Sequence, residues 1–263
     1  MVVLVTGGTG QVGRALHSLI ANYKDFDFVF CSSSELDITD EAICRLRLEQ
    51  HKPDVLINLA AFTAVDLAEE QPENAYRVNA TAVKLLSELC CEYKTILVHL
   101  STDYVFDGLK GEPYTINDVP NPLNVYGASK LKGECFIREN MTDYYIIRTS
   151  WVYSDFGNNF KKTMLYLATK LKEIKVVDDQ VGCPTSADDV ARAIMKCIIV
   201  KPSFGVLHFC GPQILSWYGF ARKIFTENRI NISLFPISSE AFNSKAIRPF
   251  YSVLEISEFF KEK

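Results

Sequence analysis

The opening of the chain constrains its fold more than any other feature. Val2–Val5 is a run of apolar, β-forming residues, and Thr6-Gly-Gly-Thr-Gly-Gln-Val-Gly13 follows it directly. Val12, Ala15, Leu16, Leu19 and Ile20 then recur at i, i+3, i+4, i+7 and i+8, the apolar stripe of a helix. A strand, a glycine turn and an amphipathic helix in that order form a unit that cradles a nucleotide pyrophosphate. Gly7 admits the tight turn, Gly10 lets backbone approach a phosphate, and Gly13 lets the helix start close to the sheet. The helix N-terminus, including Gln11 and Val12, supplies free N–H donors and a partial positive charge. Without a basic stretch before it, Met1–Val5 reads as a first strand rather than a signal peptide.

The same alternation continues for about half the chain. Strands are predicted at Phe26–Phe30, Val55–Leu59, Ile96–Leu100 and Tyr144–Ile147. Helices fall at Thr39–Gln50, from Pro72 to about Cys91, and at Tyr126–Asn140. This predicts an α/β fold, a doubly wound parallel Rossmann-type sheet over residues 1–150. From Trp151 the pattern loosens. Short strands are expected at Val176-Val177, Val206–Phe209 and Ile232–Pro236, with helices at Ser186–Val200 and Ser216–Asn228. Residues 151–263 are expected to form mainly a smaller C-terminal substrate-binding lobe, with some elements returning to the main sheet.

Composition narrows the partners. With 263 residues, 48% hydrophobic, the chain can bury a full core. A net charge of -4 gives no general attraction to nucleic acid. No run reaches the roughly 18 apolar residues that a membrane span needs. The eight cysteines are scattered without a C-x-x-C pair, and the four histidines lack ligand spacing. Free thiols in a reducing cytoplasm are expected, and no metal.

The cofactor readings follow from the strand ends. An Asp or Glu after the second strand would bind an adenosine ribose and repel a 2′-phosphate. Cys31-Ser-Ser-Ser34 has none there, and no arginine stands beside Ser32 and Ser33. NADPH is therefore favoured, with NADH still open. Asp37 is placed either to reach the adenine amino group or to cap the following helix. Small residues close the third strand, and Ala60, Ala61 and Thr63 suit a cofactor lying across its carboxyl end.

Catalytic candidates gather after the fourth strand. Tyr126 and Lys130 stand four apart, so on a helix they share a face. A cation beside the phenol is expected to bring its pKa down toward working pH. Thr102, at the end of His99-Leu-Ser-Thr-Asp-Tyr104, is placed to donate its hydroxyl to a substrate carbonyl. The glycine spacing and this Y-x-x-x-K pair together point to the short-chain dehydrogenase/reductase class. A surface Tyr–Lys contact and a turn-forming Ser-Thr-Asp cluster are the bland readings.

These segments resemble the dTDP-4-dehydrorhamnose reductase family. The resemblance rests on the glycine turn, Asn58–Asp66, Ser101-Thr-Asp-Tyr-Val-Phe-Asp-Gly108 and Asn121–Lys130. It extends through Arg148–Tyr153, Val177-Asp-Asp-Gln-Val-Gly-Cys-Pro-Thr185 and Arg248-Pro-Phe-Tyr-Ser252, nearly end to end. It implies reduction of the 4-keto group of a nucleotide-linked 6-deoxy sugar, with Thr102, Tyr126 and Lys130 catalytic. It places Asp103, Tyr104 and Trp151 at the sugar, and Arg248 suits the diphosphate as a bidentate cation. Related dehydratases carry Glu where this chain has Tyr104, which points to a reductase. An NADP-binding regulatory subunit without catalysis resembles the same reductases and is the rival reading. The chain stops sooner after Arg248 than the family's usual final helix, and a homodimer is left open.

Overall fold

The computed structural model describes residues 1–261. The first half supplies β1 (Val2–Thr6), β2 (Asp27–Phe30), β3 (Val55–Asn58), β4 (Ile96–Thr102) and β5 (Tyr144–Thr149). The second half adds four short strands, β6 (Val152–Tyr153), β7 (Glu173–Val177), β8 (Val181–Gly182) and β9 (Thr185–Ser186). It continues with β10 (Gly205–His208), β11 (Leu215–Ser216) and β12 (Ser233–Ile237). One parallel sheet runs in the order β10-β5-β4-β3-β1-β2. Strand order reverses between β1 and β3, so a crevice opens at their carboxyl ends.

The helices are α1 (Gln11–Leu19), α2 (Glu41–His51), α3 (Val65–Glu70), α4 (Pro72–Tyr76), α5 (Ala82–Glu92) and α6 (Val125–Asn140). They continue with α7 (Phe160–Ala168), α8 (Ala187–Val200), α9 (Trp217–Glu227) and α10 (Ser239–Phe242). Val12 and Leu16 of α1 pack with Val190 and Ile194 of α8 on one face of the sheet. Leu48 of α2, Leu86 of α5 and Ile137 of α6 cover the other. Burial on both faces explains why β1 and β3 read as continuous apolar runs rather than alternating ones.

The second half is therefore interwoven with the first through α8 and β10. Cys183, Cys210, Val253 and Leu254 pack against Val105, Phe106 and Tyr114 of the first half, and part of the remainder makes a small core of its own. The pair β7–β12 carries α7 and α9, with Met164, Ile174, Phe220 and Ile224 buried between them.

The single helix expected from Pro72 to Cys91 is interrupted. A π turn over Arg77–Thr81 separates α4 from α5. Its wider turn aims the buried Asn79 at the β3 loop, where the side chain accepts from Phe62 N and donates to Phe62 O and Ser129 Oγ.

Candidate active site

A cavity of about 590 Å³ opens at the carboxyl ends of β1, β3 and β4. Gly7, Gly10, Gln11, Val12 and Gly13 form its floor. Gly7 sits at φ +64, and a Cβ there would lie 2.7 Å from Ala60 N, so the turn and the β3 loop touch through glycine alone. The N-terminus of α1 has no side-chain cap and no acid in its first turn. Its N–H groups are thus free to meet an anion. Gly13 packs on the turn itself, where a Cβ would meet Gly8 O at 2.5 Å, rather than on the sheet.

One wall comes from β4 and α6. Thr102, Asp103, Tyr104, Tyr126 and Lys130 all line it. Asn124 caps α6 by accepting from Gly127 N at 2.8 Å and ties the cap to the distant chain by donating to Ile247 O. A Cβ at residue 127 would stand 2.1 Å from Tyr104 O, so Gly127 is what allows α6 to carry Tyr126 up against Tyr104. The two tyrosine rings meet edge to face, 6.0 Å between centroids.

The electrostatics correct one expectation. Burial pushes the Tyr126 phenol up to about 12, with the Thr102 hydroxyl drawing it down and the Asp103 carboxyl raising it. The Lys130 ammonium instead donates to Leu100 O at 2.7 Å and lies 3.1 Å from His99 Nε2. Burial brings it down to about 8 against the pull of Glu134. Tyr126 is therefore a neutral phenol at neutral pH, with a proton it can give.

Behind this wall, buried polar groups are joined across the sheet. His99 Nδ1 faces Asn58 Nδ2 at 3.0 Å, and Asn58 Oδ1 accepts from Thr6 Oγ1 and Ala60 N. Ser101, next to Thr102, donates to Glu134 at 2.5 Å. Glu134 is paired with Arg148 at 2.6 Å, and Arg148 reaches His208 at 3.3 Å. Sequence reasoning missed His99 and Glu134, although His99 opens the quoted β4 motif.

The facing wall comes from the second half. Trp151 lines it at φ +47, stacked on Trp217 at 3.5 Å between ring centroids. Trp217 was not foreseen, because it stands alone at the start of α9. Gln11 accepts from Ser154 and Asn159, both at 2.9 Å, which ties α1 to this wall.

The other expected residues are divided between this cavity and its surroundings. Ala61 and Thr63 line the cavity, while Ala60 meets it only through its neighbours and spends its N–H on Asn58. Ser32 belongs to a second cavity of about 340 Å³ beside the turn, and Ser33 is exposed outside it. That second cavity holds both charges the local sequence reading lacked. Arg14 reaches it from α1, and Glu35 folds back to accept from Ser32 N and Oγ. Asp37 does not cap α2. Its carboxylate accepts from Thr39 N and Oγ1 in a local turn, and Asp40 is the cap. Arg248 does not line the main cavity either. Its fork is paired with both oxygens of Asp66, at 3.2 and 2.6 Å, beside Tyr104.

Among the described residues, no helix is long and apolar enough to cross a membrane. Six of the eight free cysteines are buried.

The model of the family described as RmlD substrate binding domain matches residues 1–262. A dTDP-4-dehydrorhamnose reductase of Aggregatibacter actinomycetemcomitans is 41% identical over 86% of this chain and 78% of its own. A crystal structure of a dTDP-4-dehydrorhamnose reductase from Clostridium acetobutylicum superposes with a TM-score of 0.94. It is 42% identical, over 97% of this chain and 90% of that one. The Bacillus anthracis dTDP-4-dehydrorhamnose reductase, solved in complex with NADP, gives the same TM-score and coverage at 37% identity.

Proposed function

Because this chain belongs to the dTDP-4-dehydrorhamnose reductase family and is an NAD(P)-dependent oxidoreductase, we propose that it reduces dTDP-4-dehydro-L-rhamnose to dTDP-L-rhamnose with NADPH. One observation carries the reading. Thr102, Tyr126 and Lys130 line the same cavity as the uncapped N-terminus of α1. A proton donor thus stands beside a site for a dinucleotide pyrophosphate.

The residues present fit that cofactor. The glycine turn and the N–H groups of α1 hold the pyrophosphate, and Lys130 binds the nicotinamide ribose. Arg14, which lines the second cavity beside Ser32, suits a 2′-phosphate as a cationic donor. Bound there, the reduced nicotinamide supplies the hydride that the sugar C4 receives. Thr102 donates a hydrogen bond to the carbonyl oxygen as negative charge develops on it, and Tyr126 gives that oxygen its proton. A phenol held near 12 is fully protonated before the reaction, as an acid must be.

Trp151 and Trp217 wall the sugar, and the second half of the chain chiefly serves the nucleotide sugar. Arg248 steadies Asp66 and Tyr104 at the rim rather than standing free for the diphosphate. Buried free thiols suit a reducing cytoplasm. The test is NADPH oxidation against a panel of nucleotide-linked 4-keto-6-deoxy sugars, with the dTDP-linked L-sugar expected to turn over fastest. Tight NADPH binding with no turnover across the panel would sink the proposal in favour of a regulatory subunit.

A further inference from the structure

Thr102 has a single hydroxyl hydrogen, and two groups compete to decide where it points. Tyr104 N donates to Thr102 Oγ1 at 3.2 Å, which uses one lone pair. Asp103 Oδ1 lies 3.1 Å away on one side, and the Tyr126 phenol is within reach on another. An ionised carboxylate can only accept, and it is the stronger acceptor. With Asp103 ionised, the Thr102 hydrogen points at Asp103 and none is left for the cavity. With Asp103 protonated, the carboxyl itself donates to Thr102 Oγ1, and the hydroxyl hydrogen turns into the cavity.

The surroundings of Asp103 favour the protonated form. The residue is 2% exposed, and its Oδ2 is buried with no hydrogen-bond partner. The groups facing it are Tyr104 and Thr102 on its own segment, Tyr126 on α6, Cys183 and Cys210, and Ser252 from the C-terminal segment. None of them is a cation. An ionised carboxylate with one orphaned oxygen in such a site is costly, and burial pushes Asp103 up to about 7, against the opposing pull of the Ser252 and Thr102 hydroxyls.

We propose that Asp103 is a proton switch for Thr102. Protonated, it turns the Thr102 hydroxyl toward the substrate oxygen; ionised, it draws that hydroxyl away. Asp103 is a positioning residue in this role, since the transferred proton still comes from Tyr126. The switch rests on the reading that Thr102 serves a keto oxygen, but the protonation it requires can be read without any substrate.

Two measurements test it. In substrate-free protein, the infrared band of a protonated buried carboxyl should be present at about pH 6, fade by about pH 9, and be missing in Asp103→Asn. Thr102→Val should move that titration upward, because the variant loses the hydrogen bond that favours the ionised form. In turnover assays, wild-type kcat/KM should fall as pH rises through the Asp103 titration. Asp103→Asn keeps an N–H donor toward Thr102, so the ratio of variant to wild-type kcat/KM should climb about tenfold per pH unit above neutrality. The ratio cancels the titration of Lys130, which both proteins share. Absence of the band at about pH 6, or a titration unmoved by Thr102→Val, overturns the switch whether or not a substrate is found. A flat ratio overturns it by showing a protonated Asp103 that does not steer Thr102. Failure of every 4-keto sugar, with the infrared results as expected, rejects the reductase reading and leaves the coupling of Asp103 to Thr102 standing.

Discussion

The two walls of the cavity are built in different ways. On the β4–α6 wall, side chains are fixed by partners deep in the main sheet. Ser101 reaches Glu134, Glu134 holds Arg148, and Lys130 is tied to Leu100 O. The opposite wall stands on strands of two residues and on loops, with stacked indoles and the Gln11 hydrogen bonds as its fastenings. Groups that move protons need fixed geometry and low dielectric, and the sheet provides both. On the proposed reading the second wall recognises the sugar, and it can be altered without disturbing the sheet. The first wall should therefore be intolerant in rate and stability, and the second should respond mainly in substrate KM.

The largest effect is expected at Tyr126. Tyr126→Phe keeps the ring packed against Tyr104 and removes only the acid. Turnover should fall by roughly 10²–10⁴ with NADPH affinity unchanged, read by initial rates and cofactor titration. Near wild-type turnover would remove Tyr126 as the proton donor and dissolve the contrast between the walls. Next is Glu134→Gln, which leaves Arg148 buried without its counter-charge. Both side chains are about 2% exposed or less, so a loss of roughly 3–5 kcal/mol in denaturant unfolding is expected. The exposed lobe pair Lys161–Asp155 is the control, and Asp155→Asn should cost under about 1 kcal/mol. Equal losses would mean that the buried pair does not hold the first wall.

How far this was legible from sequence follows the same division. β1 to β5 are short apolar runs set apart by turn signals and helices, so their order could be read directly, as could the spacing that brings Tyr126 and Lys130 to one cavity. Two-residue strands such as β8 and β11 have no period to read. Partners distant in the chain were hidden for another reason. Arg248 looked free because Asp66, 182 positions away, gives no local sign of pairing with it. Arg14 looked remote from Ser32 until the turn brought α1 beside β2. Of the two roles open to Asp37, capping fails because the local turn to Thr39 takes the same carboxylate. The Tyr126 pKa went in the opposite direction because burial outweighs a cation that is engaged elsewhere.

Cofactor choice gives a smaller effect. Arg14 donates through Nε to Thr9 O, and its remaining N–H groups are the cationic donors of the second cavity. Arg14→Ala should raise KM for NADPH by roughly tenfold, the worth of a charge-assisted hydrogen bond, and leave NADH nearly unchanged. Equal changes for both cofactors would mean that Arg14 does not meet the 2′-phosphate. Ser32→Asp should act in the same direction by like-charge repulsion.

The smallest effect is expected on the second wall itself. Trp151 has a positive φ, a conformation that a bulky residue adopts only where its surroundings hold it, at a cost of about 1–3 kcal/mol. Two contacts do so. The ring covers Gly182, where any Cβ would lie 2.6 Å from Trp151 Cε2, and it stacks on Trp217, whose Nε1 is anchored to Gln180 at 3.1 Å. Trp217→Leu keeps an apolar neighbour but removes the flat partner, a loss of about 0.5–1.5 kcal/mol. Some of that loss should appear as freedom of Trp151 to leave the cavity wall. KM for the nucleotide sugar should rise by roughly two- to tenfold, while kcat and the unfolding midpoint change little. A fall in kcat comparable to that of Tyr126→Phe would place the indole pair in the chemistry, and the two walls would no longer be separable by function.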